Sequence, residues 1–143
     1  MKNQIKFLVV LTVMFLFLAC AKNETEEEAA NIKFADTTLL GTWEGNVVQD
    51  GYLPVSTKLT IDKLDKDKKA GDFEGGECKV HFLYLGKVGD VFTFREDLLP
   101  GFSNPNCIGG TSLIEIKTKD KLEYVWTGDD FTYNTAKATF VRK

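Results

Sequence analysis

Few side chains in this 143-residue chain could do chemistry. His81 is the only histidine, and the three cysteines are Cys20, Cys78 and Cys107. A Ser-His-Asp nucleophile would have to bring Ser56, Ser103 or Ser112 to His81, and none of these serines sits in a Gly-x-Ser-x-Gly elbow. A single histidine is too few for the usual zinc ligand sets or a Cys-His pair. The acidic run Asp62, Asp65, Asp67 and Asp72 lacks the spacing and closing Glu of an EF-hand loop, and Lys66, Lys68 and Lys69 compete for its carboxylates. Glu96 and Asp97 are sequence neighbours, and neighbours on a strand face opposite sides, which argues against a carboxylate dyad. Gly109-Gly110-Thr111-Ser112 has glycines without the downstream Gly-Lys of a phosphate loop and reads as a turn. These residues point away from an enzyme and toward a protein with no metal and no cofactor.

The elements that carry them read as strands. From Leu40 onward apolar and polar residues alternate with period two, punctuated by Gly, Asp and Asn, and no stretch keeps a helical apolar period for ten residues. The expected strands are Thr42 to Val48, Val55 to Asp62, a short element near Gly71 to Glu74, Lys79 to Leu85, Val91 to Glu96, Thr111 to Thr118, Lys121 to Thr127 and about Thr135 to Arg142. The charged stretch from Leu64 to Asp72 reads as a turn or loop, Gly86 to Asp90 as a hairpin turn, and Leu98 to Gly110 as the longest irregular segment. Alternation puts His81 with Lys79 and Leu83, opposite Val80, Phe82 and Tyr84, at the surface or rim. Seven or eight strands joined by short turns predict an all-β, antiparallel up-and-down sheet, and closing it into a small barrel removes its exposed edges. An open or sandwiched sheet is the rival arrangement.

The N-terminus carries an address. Lys2 and Lys6 precede the apolar run from Phe7 to Ala19, which is shorter than the roughly 20 residues a spanning helix needs and has the profile of a cleaved export signal. Ala19-Cys20 at its end resembles the lipobox of bacterial lipoproteins, with Phe17 where the usual leucine stands and Leu16 one place further back. That resemblance implies lipidation of Cys20 and an anchor, of palmitate-like chains, that holds the protein to a membrane without crossing it. The following stretch, with Glu24, Glu26, Glu27 and Glu28, is too polar to order itself and reads as a tether. Such an acidic cluster is similar to the signal that sends Bacteroidetes lipoproteins to the outer face of the outer membrane; a periplasm-facing spacer is the alternative. The resulting division is a signal peptide over 1–19, lipidated cysteine and tether over 20–37, and one domain over 38–143. With Cys20 lipidated, Cys78 and Cys107 remain as an even pair in an oxidising compartment, either bridged or as two unpaired buried thiols. Removing residues 1–19 takes away two lysines and leaves 16 basic against 21 acidic side chains, a charge of −5 that makes nucleic acid a poor partner.

Gly41-Thr42-Trp43 at the first strand resembles the Gly-x-Trp signature of the lipocalins and the wider calycin group. In that group the tryptophan closes one barrel end beneath an arginine of the last strand, and Arg142 stands at the matching place. The resemblance implies a membrane-tethered barrel that binds a small apolar ligand, lined by Phe82, Phe92, Phe94, Tyr124 and Trp126. The same rings could instead fill the barrel, leaving a structural lipoprotein that meets an envelope protein through loops such as Leu98 to Gly110.

Overall fold

The period-two alternation forms eight strands in the computed structural model, which describes residues 33–101, 104–129 and 135–143. They are β1 (Gly41–Gln49), β2 (Val55–Ile61), β3 (Lys68–Gly75), β4 (Cys78–Val88), β5 (Val91–Leu98), β6 (Gly110–Thr118), β7 (Lys121–Gly128) and β8 (Thr135–Arg142). Each pairs antiparallel with the next, and β8 returns to β1 through registers running from Trp43↔Arg142 to Gln49↔Ala136. The sheet is therefore a closed up-and-down barrel, not an open or sandwiched one. On β7 the inward residues Leu122, Tyr124 and Trp126 are buried while Glu123, Val125 and Thr127 are exposed, the pattern of a strand with one dry and one wet face. The signal segment, Cys20 and the tether as far as residue 32 lie outside the described residues.

Two elements differ from the sequence expectation. The stretch expected as loop through Asp72 is strand from Lys68 onward. Asp62 and Lys63 both donate backbone N–H groups to the Ala70 carbonyl, and a register shift between Lys69 and Gly71 sets the two lysines outward. A bulge places exposed charges next to one another, so this strand start lacks the alternation that marks the others. Similarly, β4 runs through Gly86 to Val88 and turns only at Gly89–Asp90. A second register shift, between Tyr84 and Gly86, carries the strand past the glycine that reads as its end.

The end of the barrel that holds the start of β1 is sealed. A 3-10 turn, Asp36–Leu39, lies beside it, with Leu39 fully buried. Trp43 is fully buried and donates its indole Nε1–H to the Leu39 carbonyl at 2.9 Å. The Arg142 guanidinium lies 4.2 Å from the centre of the Trp43 ring and donates to the carbonyls of Leu40 and Lys119, at 3.0 Å each, and of Thr38. One planar cation thus stacks on the indole while its N–H groups donate to three backbone carbonyls. Gly41, at φ +123°, leaves space for it, since a Cβ there would stand 2.9 Å from Arg142 Nη1. Lys87 ties the turn to β4 by donating to Asp36 at 2.6 Å.

Candidate functional site

The opposite end, where the connections β1–β2, β3–β4 and β5–β6 gather, is hollow. A cavity of about 760 Å³ opens there between the strand ends. Its apolar wall includes Val47, Val55, Val80, Ile108, Trp126 and Ala136, and Phe73 and Tyr124 contribute rings. Phe73 of β3 and Tyr124 of β7 stack with centroids 5.9 Å apart and planes 19° apart. These strands lie on opposite sides of an eight-stranded ring, so the stack bridges the lumen. Tyr124 continues edge-on to Phe140 at 5.5 Å, and Phe73 continues to Phe82 at 5.9 Å, which links the cavity residues to the filled half of the core.

Trp126 lies along the wall because two glycines leave room for it. A Cβ at Gly110 would stand 2.3 Å from the Trp126 Nε1, and one at Gly128 would stand 2.8 Å from Cη2. The Nε1 donor is buried and has no hydrogen-bond partner among the described residues. Above the wall, the β5–β6 connection folds back on the barrel. Cys107 is bonded to Cys78 at the start of β4, with Cα atoms 5.6 Å apart, and Asn104 donates its amide to Glu77 at 3.0 Å. Of the two readings of these cysteines, the bridge is the one present.

The chemistry of the cavity centres on Glu96. It follows Phe92 and Phe94 in phase on β5 and points inward, only 3% exposed. Its Oε1 accepts hydrogen bonds from the Tyr124 hydroxyl at 2.8 Å and from the Ser112 hydroxyl. Burial pushes its pKa from 4.5 up to about 8, outweighing the hydrogen bond from Tyr124 and the charge of Arg95. Tyr124 is itself raised well above 10, first by burial and then by the potential of Glu96. In sequence Glu96 reads only as half of a dyad with Asp97; the two side chains do face opposite sides, and the inward one carries the chemistry. Its signal is the Phe92-Phe94-Glu96 phase.

The expected ligand-lining residues divide. Tyr124 and Trp126 line the cavity, whereas Phe82, Phe92 and Phe94 are fully buried in the packed half and do not. The correction has a simple cause: parity places all five rings inside but does not tell how far along the barrel axis each one sits. Phe73, in the element expected to be short, takes a place on the wall instead. Gly41, Trp43 and Arg142 come together at the sealed end, away from the cavity. His81 is partly exposed on the outer surface, with Nδ1 2.6 Å from Asp72 Oδ1. Burial alone would raise the Asp72 pKa, but hydrogen bonds from Lys69 and His81 hold it below the usual carboxylate value. Among the described residues no three His, Cys, Asp or Glu side chains gather to hold a metal ion.

Comparison of the sequence with protein-family models and with curated proteins returns no match. Among solved structures, the chain is similar to a de novo designed fluorescence-activating β-barrel, with a TM-score of 0.57 and 11% identity over 77% of this chain and 100% of that one. At that identity the likeness concerns the fold.

Proposed function

We propose that the protein is a non-enzymatic binding module, a lipocalin-like barrel that holds a small, largely apolar ligand in its hollow end. The observation that carries this reading is the cavity: about 760 Å³, walled mostly by apolar side chains with a few polar groups converging on it, within the range of roughly 300–1,000 Å³ typical of small-molecule sites. The Gly41-Thr42-Trp43 motif under Arg142 supports the calycin-like reading. Lipid on Cys20, from the lipobox resemblance, would anchor the domain to the outer membrane through a tether and without a spanning segment. A second reading, docking of an envelope protein, draws on the exposed tip of the β1–β2 connection, where Tyr52 and Leu53 are 69% and 87% exposed.

Native mass spectrometry of the full-length protein extracted from membranes tests the binding reading. A small molecule should accompany the folded protein and leave on denaturation. A barrel that retains nothing and binds no neutral apolar fluorophore would overturn it and favour docking. In the same preparation Cys20→Ser should move the protein from the detergent-rich to the aqueous phase; unchanged partitioning would overturn the anchor.

A further inference from the structure

The sign of charge in the cavity restricts its occupant. Among the described residues that line it, the charged side chains are Glu77 and Glu96, and no Lys, Arg or His is present. Glu77 is at the rim, held by Asn104. Glu96 is deeper, and among the described residues no cation forms an ion pair with it; the charge of Arg95 reaches it only through the strand. Arg95, its neighbour on β5, faces the other side of the sheet and is engaged with Asp97 at 3.0 Å and Asp129 at 2.5 Å. On β4, beside β5, Val80 faces inward, while Lys79 pairs with Glu74 and His81 with Asp72. From β6 and β7 the groups that meet Glu96 are the Ser112 and Tyr124 hydroxyls, and both go to Oε1. Oε2 accepts no hydrogen bond from a described group.

On the reading that this cavity binds a ligand, we propose that the ligand is a small organic cation, whose ammonium pairs with Oε2 of Glu96 while its apolar or aromatic body packs against Phe73, Tyr124 and Trp126. Two hydroxyls donated to one carboxylate oxygen favour the ionised form and leave the other oxygen for the guest. Aromatic faces add attraction for a cation, most when water is excluded. A fatty acid or other anion would have to desolvate its carboxylate in a cavity whose described lining offers it no Lys, Arg or His. In the empty barrel burial holds Glu96 largely protonated at neutral pH. Binding therefore exchanges charge: the carboxyl O–H bond breaks, the proton leaves to solvent, and the carboxylate accepts a hydrogen bond from the ammonium. Affinity should rise by up to about tenfold per pH unit below pH 8, level off, and fall once the amine itself loses its proton.

The test is calorimetry of the full-length protein in non-ionic detergent with two matched probe sets: phenethylamine, phenylethanol and phenylacetate, and tryptamine, tryptophol and indole-3-acetate. In at least one set the amine should bind about ten or more times more tightly than the alcohol, with no measurable binding of the acid. Titrations at about pH 7 in two buffers of different ionisation enthalpy should show release of close to one proton per amine bound to the wild-type protein. E96Q should bring amine and alcohol to similar affinity without weakening the alcohol. Should that variant fail to fold, the proton release and pH profile of the wild type decide alone. Alcohols or acids that bind as tightly as the amines, or amine binding without proton release, would overturn the cation while leaving a binding cavity in place. If no probe of either set binds and the extracted protein retains no small molecule, both the cation and the cavity reading fall.

Discussion

At the sealed end, Trp43, Phe82, Phe92, Phe94 and Phe140 are all fully buried; at the hollow end Phe73, Tyr124 and Trp126 bring comparable rings and yet leave about 760 Å³ unfilled. Five rings against three is part of the contrast, and the rest is the company they keep. Inward positions toward the sealed end hold Leu59, Ile61, Ile114, Ile116 and Leu122, whereas those toward the hollow end hold Thr57, Gly75, Gly110 and Ala136. A barrel of fixed strand number has nearly constant bore, so the size of the side chains along its axis decides where it is solid and where it is open. The sealed end is built to be stable; the other end gives up packing to keep space.

The largest test of this contrast compares the two tryptophans. Trp43→Ala removes a fully buried ring, its hydrogen bond to Leu39 and the seat of Arg142, and should cost about 3–5 kcal/mol in urea unfolding. Trp126→Ala merely enlarges an existing cavity on one side and should cost about half as much. Equal losses would mean that the hollow end is packed as tightly as the sealed one.

The inward and outward faces of the strands were legible in the sequence, the division into two ends was not, and the reason is physical. Alternation fixes which residues face inward, so the inward residues of β8 and the outward position of His81 follow from parity, whereas the choice of eight strands over seven and of a closed barrel over an open or sandwiched sheet does not. The height of each residue along the axis depends on the stagger between strands, which bulges alter. The shifts between Lys69 and Gly71 and between Tyr84 and Gly86 hide in sequence the full lengths of β3 and β4. Without them Phe82, Phe92 and Phe94 cannot be separated from Tyr124 and Trp126. Glu96 was hidden differently: an acid in an aromatic phase reads as the end of a strand until the hydroxyls of Ser112 and Tyr124 are seen to meet it.

Next in size is the bridge over the hollow end. Cys78 and Cys107 are 29 residues apart, and losing the cross-link by Cys107→Ser should cost roughly 3–4 kcal/mol on the chain-entropy account. In a domain of this size that lowers the melting temperature by about 10 °C or more. The effect should be smaller than that of Trp43→Ala in its influence on the sealed end, so the near-ultraviolet dichroism of Trp43 should survive below the transition. Loss of that signal in the folded variant would show that the two ends are not separable.

Arg142→Ala should cost about 1–2 kcal/mol, because the lost stacking and charge-assisted hydrogen bonds lie at a partly solvated site. With Trp43→Ala in a double-mutant cycle the losses should be non-additive by at least about 0.5 kcal/mol. Strict additivity would break the account of the sealed end as a single unit of indole, guanidinium and 3-10 turn.

The last test is a slope with pH, and it belongs to the hollow end alone. Glu96 binds its proton in the folded barrel up to about pH 8, whereas a carboxyl in the unfolded chain releases it near 4.5. Between these values the folded state holds more protons, so its stability is fully present below about pH 4.5 and declines as pH rises, by at most about 1.4 kcal/mol per unit, until pH 8. Above that the folded carboxyl also ionises and the contribution levels out. Urea midpoints at intervals from about pH 5 to about pH 9 should trace this decline in the ligand-free protein, and Glu96→Gln, which keeps the shape and cannot ionise, should flatten it. A wild-type profile that is already flat would mean that Glu96 ionises freely, and therefore that water reaches the floor of the cavity far more readily than its burial indicates. The sealed end offers the control, since no carboxyl is enclosed among Trp43, Phe92, Phe94 and Phe140, and Trp43→Ala should shift every midpoint without changing the slope.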